Sequence, residues 1–511
     1  MEEKNYFKNM FKGIDDNIIL DEDQINIIKD KSKCLIVVAG AGSGKTTTMS
    51  AKAKYLVDYG LYKNSEILII SYTNKAVKEI DNYVNSKFNL NIDIMTFHKL
   101  ALNILKNNKC KVNLLSDRSK FKIFKDIILS YNNTSDIMKI INNYNKLGNN
   151  IAKDINNVDE MTIFCIECID YLKTKGIENT KAFLYSKITD DKLYYFADFL
   201  LYIYKKYDEY CNTKNFYDFD DLIIKCIKYV NKNTIPYRFI IIDEYQDISK
   251  IRFNIVEKLS NFCNITVVGD DWQSIYSFSG SSVSYFLDFK EKMNANMLMI
   301  KNTYRNSLEL VKITGNFVMR DDSLIRKDLN SNKHLKNPIN ICFYRKNINN
   351  CFEKIIKSII KEYGINKNIL ILGRYKDDIK MITSTKFIIN NNTITYINNR
   401  KVNIKYMTIH SSKGVGFDNV VILNMLNSSY GFPSNIENNF FKKYFFNEYD
   451  NIKEERRLFY VAMTRTKNKV YILSPFNKKK RSPFVFDIKK EMNRRWNYNW
   501  KYYRFLLWYY N

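Results

Sequence analysis

Three groups of residues have the types and spacing for phosphate chemistry. The first is AGAGSGKTT at residues 39–47, where Gly40, Gly42 and Gly44 lead into Lys45, Thr46 and Thr47. Glycines let backbone N–H groups turn toward phosphate oxygens, and a helix starting there adds the positive end of its dipole. In such a P-loop Lys45 reaches the β- and γ-phosphates and the Thr46 hydroxyl holds Mg²⁺. Ala39, Ala41 and Ser43 complete the loop, although the strict pattern asks for glycine where this chain has Ala39. The second group is the acidic pair Asp243 and Glu244, which ends a wholly apolar run. Asp243 suits a Mg²⁺ shell and Glu244 the polarisation of an attacking water; an acidic helix cap is the structural alternative. The third is dispersed: Gln273 is placed to sense a γ-phosphate, and Arg305 and Arg465 are placed to act as arginine fingers. Gln24, just upstream, has an amide able to pair with both edges of adenine and so to select ATP, a weak signal on its own.

These residues need a scaffold that brings distant segments together. Residues 35–38, 67–70, 239–242 and 265–268 are short apolar runs that read as strands buried on both faces of a parallel sheet. Each leads into a polar loop, and ligands of parallel sheets gather at the strands' C-terminal ends. Between about 104 and 214 the pattern turns to helical periodicity without convincing strands, as expected of a helical insertion. Past residue 285 a second α/β unit begins, with strand-like runs at 368–372, 420–423 and 469–473 but no phosphate glycines. It is expected to face the first unit across the nucleotide. Tyr276 and Phe278 fall on an irregular loop, where aromatic rings suit base stacking, though either ring taken singly is more often core than a base platform.

Composition bounds the partners. Lys+Arg 81 against Asp+Glu 54 gives a net charge of +27, which favours a polyanion; the Lys-, Asn- and Ile-rich wording also matches AT-rich coding. No apolar run approaches the roughly 20 residues that span a bilayer. The first residues lack a signal-peptide pattern, so a soluble, cytoplasmic protein without membrane contact is expected. The nine cysteines are scattered, and Cys165 and Cys168 read as two residues of one helix rather than a metal pair. The tail at 493–511 is rich in aromatics, among them Trp496, Trp500 and Trp508, and is a candidate docking segment for protein partners.

Taken in order, the motifs resemble superfamily 1 DNA helicases of the UvrD/Rep type. The likeness covers about residues 20–489: Gln24, AGAGSGKT from Ala39, SYTNKAV from Ser71, TFHKLA from Thr96, DFDDL from Asp218, IIDEYQD from Ile241 and VGDDWQSIY from Val268. NTYRN from Asn302, TIHSSKG from Thr408 and EERRLFYVAMTRTK from Glu454 complete the series. Alanine at the start of the P-loop is common in that family. The wording of DDWQSIY, of residues 431–433 and of residues 482–485 is most similar to DNA helicase IV, without its N-terminal extension. The interval from Arg305 to Thr408 is too short for the accessory 2B domain.

The resemblance implies two RecA-like P-loop NTPase domains with parallel sheets flanked by helices. It places a first domain at 1–103 and 215–285, a 1B-like helical insertion at 104–214, a second domain at 286–492 and the tail beyond. It implies ATP hydrolysis with Mg²⁺ coupled to 3′-to-5′ movement on single-stranded DNA and unwinding of partial duplexes, in repair or replication. Tyr304 would stack on adenine, Arg305 and Arg465 would contact the γ-phosphate, and Thr73, Asn74, Phe97, His98, Tyr276, Phe278 and His410 would line the strand's path. Gly416 and Ser279 replace a ribose-contacting Glu and a coupling Arg that are frequent in the family. Alternatives are an ATP-dependent factor acting on RNA polymerase, a helicase–nuclease, and a nucleotide-gated DNA binder without turnover.

Overall fold

The computed structural model describes residues 2–146, 154–436, 440–447 and 452–495; the aromatic tail from 496 onward lies outside them. The first sheet comprises β1 (Cys34–Ala39), β2 (Ile67–Ser71), β3 (Asp93–Thr96), then, after the helical interval, β6 (Phe239–Ile242), β7 (Asn264–Gly269) and β8 (Asn296–Ile300). A two-residue pair, β4 (Asn113–Leu114) and β5 (Phe216–Tyr217), sits between them in sequence. The order is β3-β2-β6-β7-β1-β8, and every pairing is parallel. Helices cover both faces, so β1, β2 and β6 are buried along their whole length and carry apolar runs rather than alternation. The ends of β2, β6, β7 and β1 fall side by side, which brings Ser71, Asp243, Gly269 and the glycine loop to one edge.

The second sheet contains β9 (Ile339–Tyr344), β10 (Ile369–Gly373), β11 (Phe387–Asn390), β12 (Thr393–Tyr396), β13 (Ile404–Thr408), β14 (Asn419–Ile422) and β15 (Val470–Pro475). Its order is β11-β12-β13-β10-β14-β15-β9, parallel except for the hairpin β11-β12 and its joint to β13. The helix Ile452–Thr464 packs on this sheet with Leu308–Val318 and Pro483–Arg495, through rings such as Phe317, Phe459 and Phe484.

The first sheet continues past the expected limit at 285: β8 pairs with β1, with Ala39 opposite Ile300. Its wording, NMLMI, lacks the β-branched run that marks its neighbours, and its first residues are exposed because it is an edge strand. The helical interval also holds a strand after all, since β4 pairs with β5 where the interval leaves and rejoins the first unit. Two residues are too few to produce a period.

The interval's helices, Asp117–Leu129, Thr134–Lys146, Val158–Thr174, Thr180–Tyr185 and Asp191–Lys214, share their own apolar core. Cys165 and Cys168 are buried there on one helix. A buried charge cluster fixes this core to the first unit. Asp218 caps the helix Phe219–Cys226 and accepts from Lys120, Lys173 and the Tyr207 hydroxyl, each at 2.9 Å. Burial pushes the Asp218 carboxyl up, and Lys173 and Lys120 more than reverse that, holding it far below the usual carboxylate range.

The helix Phe440–Phe446 belongs in sequence to the second unit, yet Phe440, Phe441 and Phe445 complete the helical core. The Phe440 ring stacks on Phe164 (5.6 Å) and Tyr144 (5.5 Å) and meets Phe196 edge-on at 4.7 Å. Phe440→Ala is expected to destabilise this core by about 3–5 kcal/mol. Urea unfolding followed by hydrogen exchange on residues 158–207 checks it.

Candidate functional site

The glycine loop leaves β1 and enters the helix Lys45–Asp58 through two left-handed residues, Gly42 (φ +73°) and Gly44 (φ +82°). Crowding adds a second reason for glycine. A Cβ on Gly42 would stand 2.4 Å from Arg305 Cβ, and one on Gly44 would stand 2.9 Å from Gln24 Nε2. The segment 302–305 is stitched onto the loop: Tyr304 N donates to Gly42 O at 3.0 Å and Thr303 Oγ1 to Ala41 O at 2.7 Å. Ala39 and Ala41 therefore act through their backbone and are themselves buried. Gly42→Ala is expected to cost about 1–2 kcal/mol from backbone strain alone, with more from the clash; a lowered thermal midpoint checks it.

At the end of β6, Glu244 adopts φ +50°, a left-handed conformation uncommon outside glycine. It aims the side chain at Lys45, whose Nζ lies 3.5 Å from Glu244 Oε1. Gln246 Nε2 donates to the other oxygen at 2.5 Å, and Lys413 Nζ is 3.7 Å from it. Burial drives the Glu244 carboxyl up, but Lys45 and Lys413 outweigh that and hold it below its usual range. Asp243 goes the other way, pushed up by burial and by the Glu244 charge. Lys413 also pairs with Asp247 and donates to Gln273 O at 2.8 Å. The sequence leaves this lysine without a role, because TIHSSKG marks a motif but not the direction of its side chains.

Two arginines complete the cavity. Arg465, at the end of the helix Ile452–Thr464, is buried and donates to Gln273 Oε1 at 2.8 Å and to Val461 O at 3.0 Å. Burial and the neighbouring charge of Arg305 lower its pKa to about 9. Arg305 is lowered too, mainly by burial. Arg305 follows β8 directly, so it hangs between the two units rather than deep in the second. Gly416 stands beside it, and a Cβ there would lie 3.3 Å from Arg305 Nε.

The cavity, about 610 Å³, is lined by Gly40, Gly42, Ser43, Gly44, Lys45, Thr46 and Thr47, by Asp243 and Glu244, and by Gln273, Arg305 and Arg465. An adjoining cavity of about 790 Å³ is lined by Gln24, Thr47 and Tyr304. Gln24 is buried, with Nε2 donating to Ser43 O at 3.2 Å and Oε1 accepting from Asp21 N at 3.1 Å. One amide hydrogen and one lone pair remain for a ligand. The Tyr304 ring is 53% exposed and tethered through its hydroxyl to Asp21 Oδ2 at 2.7 Å, which leaves a face open for stacking.

The residues expected along a nucleic-acid strand divide. Tyr276, Phe278 and His410 cluster at ring separations of 5.6–6.2 Å where the two units meet, and Phe278 is 56% exposed. The Tyr276 hydroxyl donates to His410 O at 3.3 Å, and Ser279 Oγ to Tyr276 O at 2.8 Å within the same loop. Thr73 and Asn74 are exposed at the start of the helix Asn74–Asp81, which Thr73 caps. Phe97 does not belong with them. It is 2% exposed, packed in the first unit's core edge-on to Tyr72, so it presents no face to a base. His98, the next residue, is half-buried with its ring edge-on to Phe219 at 5.2 Å, and Phe219 is itself 51% exposed. Phe219 lies within DFDDL, where the flanking acids are the more conspicuous residues and the ring carries no signal of its own. Burial lowers both His98 and His410 to about 4, so both are neutral near pH 7 and suit stacking better than ion pairing.

A P-loop on one parallel sheet, faced by arginines at its junction with a second, defines a two-unit P-loop protein. Comparison with known sequences then gives the family. The UvrD/REP helicase N-terminal domain matches residues 20–294, more than half of the chain. The chain is 30% identical over 359 residues to the ATP-dependent DNA helicase Rep of Buchnera aphidicola subsp. Acyrthosiphon pisum, covering 67% of this chain and 52% of that one. It is 25% identical over 500 residues to DNA helicase IV of Escherichia coli, covering 90% of this chain and 69% of that one. With the ATP-dependent DNA helicase PcrA of Bacillus subtilis it shares 27% identity over 336 residues, covering 63% of this chain and 42% of that one. The chain belongs to the UvrD/Rep helicase family. It spans about half the length of the Rep proteins it matches.

Proposed function

We propose that the chain is an ATP-driven motor that moves along single-stranded DNA and unwinds partial duplexes. The observation that carries this is the convergence of Arg305 and Arg465 on the Lys45–Glu244 pair. Two guanidiniums of depressed pKa, Arg465 buried and Arg305 half-buried, stand beside a P-loop lysine and need polyanionic charge between them. A triphosphate supplies it. Lys45 exchanges Glu244 for the β- and γ-phosphates, which frees Glu244 to take the proton of a water attacking the γ-phosphorus. The bond to the β-phosphate oxygen breaks, ADP departs, and Arg305, Arg465 and Gln273 hold the charge on the transferred group. Gln24 and Tyr304 hold the base in the adjoining cavity.

The donor set fits a divalent cation. Asp243 is a buried carboxylate pushed up by desolvation and by Glu244, and a nearby cation would relieve both causes. Among the described residues no cluster of three or more acidic, His or Cys ligands exists, so Thr46 and Asp243 would share Mg²⁺ with the substrate's own phosphates. Held there, a divalent cation would supply positive charge to offset that of the phosphates.

Closure of the cleft brings the arginines in, and product release opens it, so the rings of Tyr276, Phe278 and His410 shift relative to His98 and Phe219. We assign the two sheets to two motor domains, the helices between β4 and β5 to the 1B-like insertion, and the net charge of +27 to the DNA backbone. Among the described residues no helix is long and apolar enough to cross a membrane. Displacement of streptavidin from end-labelled oligonucleotides tests the assignment. ATP-dependent release from the 5′ end supports a 3′-to-5′ motor; no release from either end contradicts it.

A further inference from the structure

We propose that Lys327 is a positioning residue that holds the γ-phosphate-sensing amide of Gln273 through Asp270, a role that rests on the motor assignment above. The segment carrying Lys327 runs behind the glycine loop: Asn330 O accepts from Thr303 N at 2.8 Å, and Leu329 fills the space where a Gly40 Cβ would stand, 2.5 Å from its Cδ1. The Lys327 side chain is wholly buried. Its Nζ donates to Asp270 Oδ1 and, at 3.3 Å, to Ala39 O at the root of the P-loop. It also stands 2.5 Å from Asp271 Oδ1 and 4.8 Å from the centre of the Trp272 ring.

A buried ammonium needs such partners to remain charged, and the partners lead to the site. The second oxygen of Asp270 accepts from Gln273 Nε2 at 2.6 Å, which turns Gln273 Oε1 to accept from Arg465 Nη2 at 2.8 Å. One unbroken chain thus runs from the Ala39 carbonyl through Lys327, Asp270 and Gln273 to Arg465. Without the ammonium, Asp270 Oδ1 keeps the Trp272 backbone N–H at 3.2 Å but loses its charged partner, and the Gln273 amide can turn away from the arginine.

The test compares wild type with Lys327→Met and with Lys327→Met/Asp271→Asn. The double variant keeps the formal charge of the buried group, so it guards against simple unfolding. Each is measured for ATP turnover at saturating single-stranded DNA, affinity for a fluorescent ATP analogue, and thermal midpoint. Both variants are expected to lose kcat on the order of 10- to 100-fold, as misplacement of a catalytic group by about 1 Å produces. Analogue affinity should stay within about threefold, which separates transition-state from ground-state effects. A folded double variant with wild-type kcat overturns the role of Lys327 and leaves the motor intact. Parallel loss of kcat and affinity also overturns it, by showing general damage to the pocket. An inert wild type overturns the motor assignment itself, and this inference with it.

Discussion

Glu244→Gln is expected to cut ATP turnover by about 10²- to 10⁴-fold, the usual contribution of a positioned general base, while nucleotide and single-strand binding survive. The substitution preserves size and leaves an amide where Gln246 now donates at 2.5 Å. What it removes is the charge that Lys45 faces at 3.5 Å and Lys413 at 3.7 Å. Lys45 is then free for phosphate without first losing a partner, so affinity for the nucleotide should hold or rise. The two effects must diverge, and that divergence distinguishes a base from a structural acid. Lys45→Ala should differ, because it removes the phosphate contact and weakens binding as well as turnover. Hydrolysis by Glu244→Gln at the wild-type rate would show that another group takes the proton.

Arg465→Ala carries the second large effect. An arginine finger supplied across a cleft contributes about 10³- to 10⁵-fold to phosphoryl transfer, and a loss in that range is expected under single-turnover conditions. Stability should respond far less, for opposing reasons. Truncation leaves Val461 O the Thr464 hydroxyl at 3.1 Å but orphans Gln273 Oε1, which Arg465 now serves at 2.8 Å, at about 1–3 kcal/mol for a buried unsatisfied group. It also removes the charge that faces Arg305, the repulsion that helps depress the Arg465 pKa. Arg465→Lys keeps a cation without the planar fork and should recover little activity. Full recovery by lysine would mean that charge alone matters at this position, and wild-type hydrolysis by the alanine variant would remove Arg465 from the site.

Local patterns are legible in the residues themselves. The apolar runs at β1, β2 and β6, the glycines and Lys45 behind them, and the Asp243–Glu244 pair each lie within one short stretch, where periodicity and residue type suffice. Long-range pairing is not. The strand β8 belongs beside β1, some 260 residues earlier in the chain, and only the sheet register reveals it. The helix Phe440–Phe446 reads as one more apolar turn of the second unit, although its rings fill a core built by residues 115–211. Motif position alone sets Phe97 beside His98 on the path of the bases. A helix sends consecutive residues in different directions, and here it turns the phenylalanine into the core and sets the half-buried histidine against the exposed Phe219 ring. Lys327 carries no motif at all; burial between Asp270 and Asp271 is what distinguishes it from the many solvated lysines of this basic chain.

Nucleotide turnover in the cleft between the two sheets is expected to be coupled to a strand of DNA lying over Tyr276, Phe278 and His410. Steady-state ATP hydrolysis by the purified chain, with and without a single-stranded oligonucleotide, decides this. Strong stimulation by the oligonucleotide, lost in Glu244→Gln and in Arg465→Ala, is the predicted result. Hydrolysis at one rate with and without DNA would contradict it.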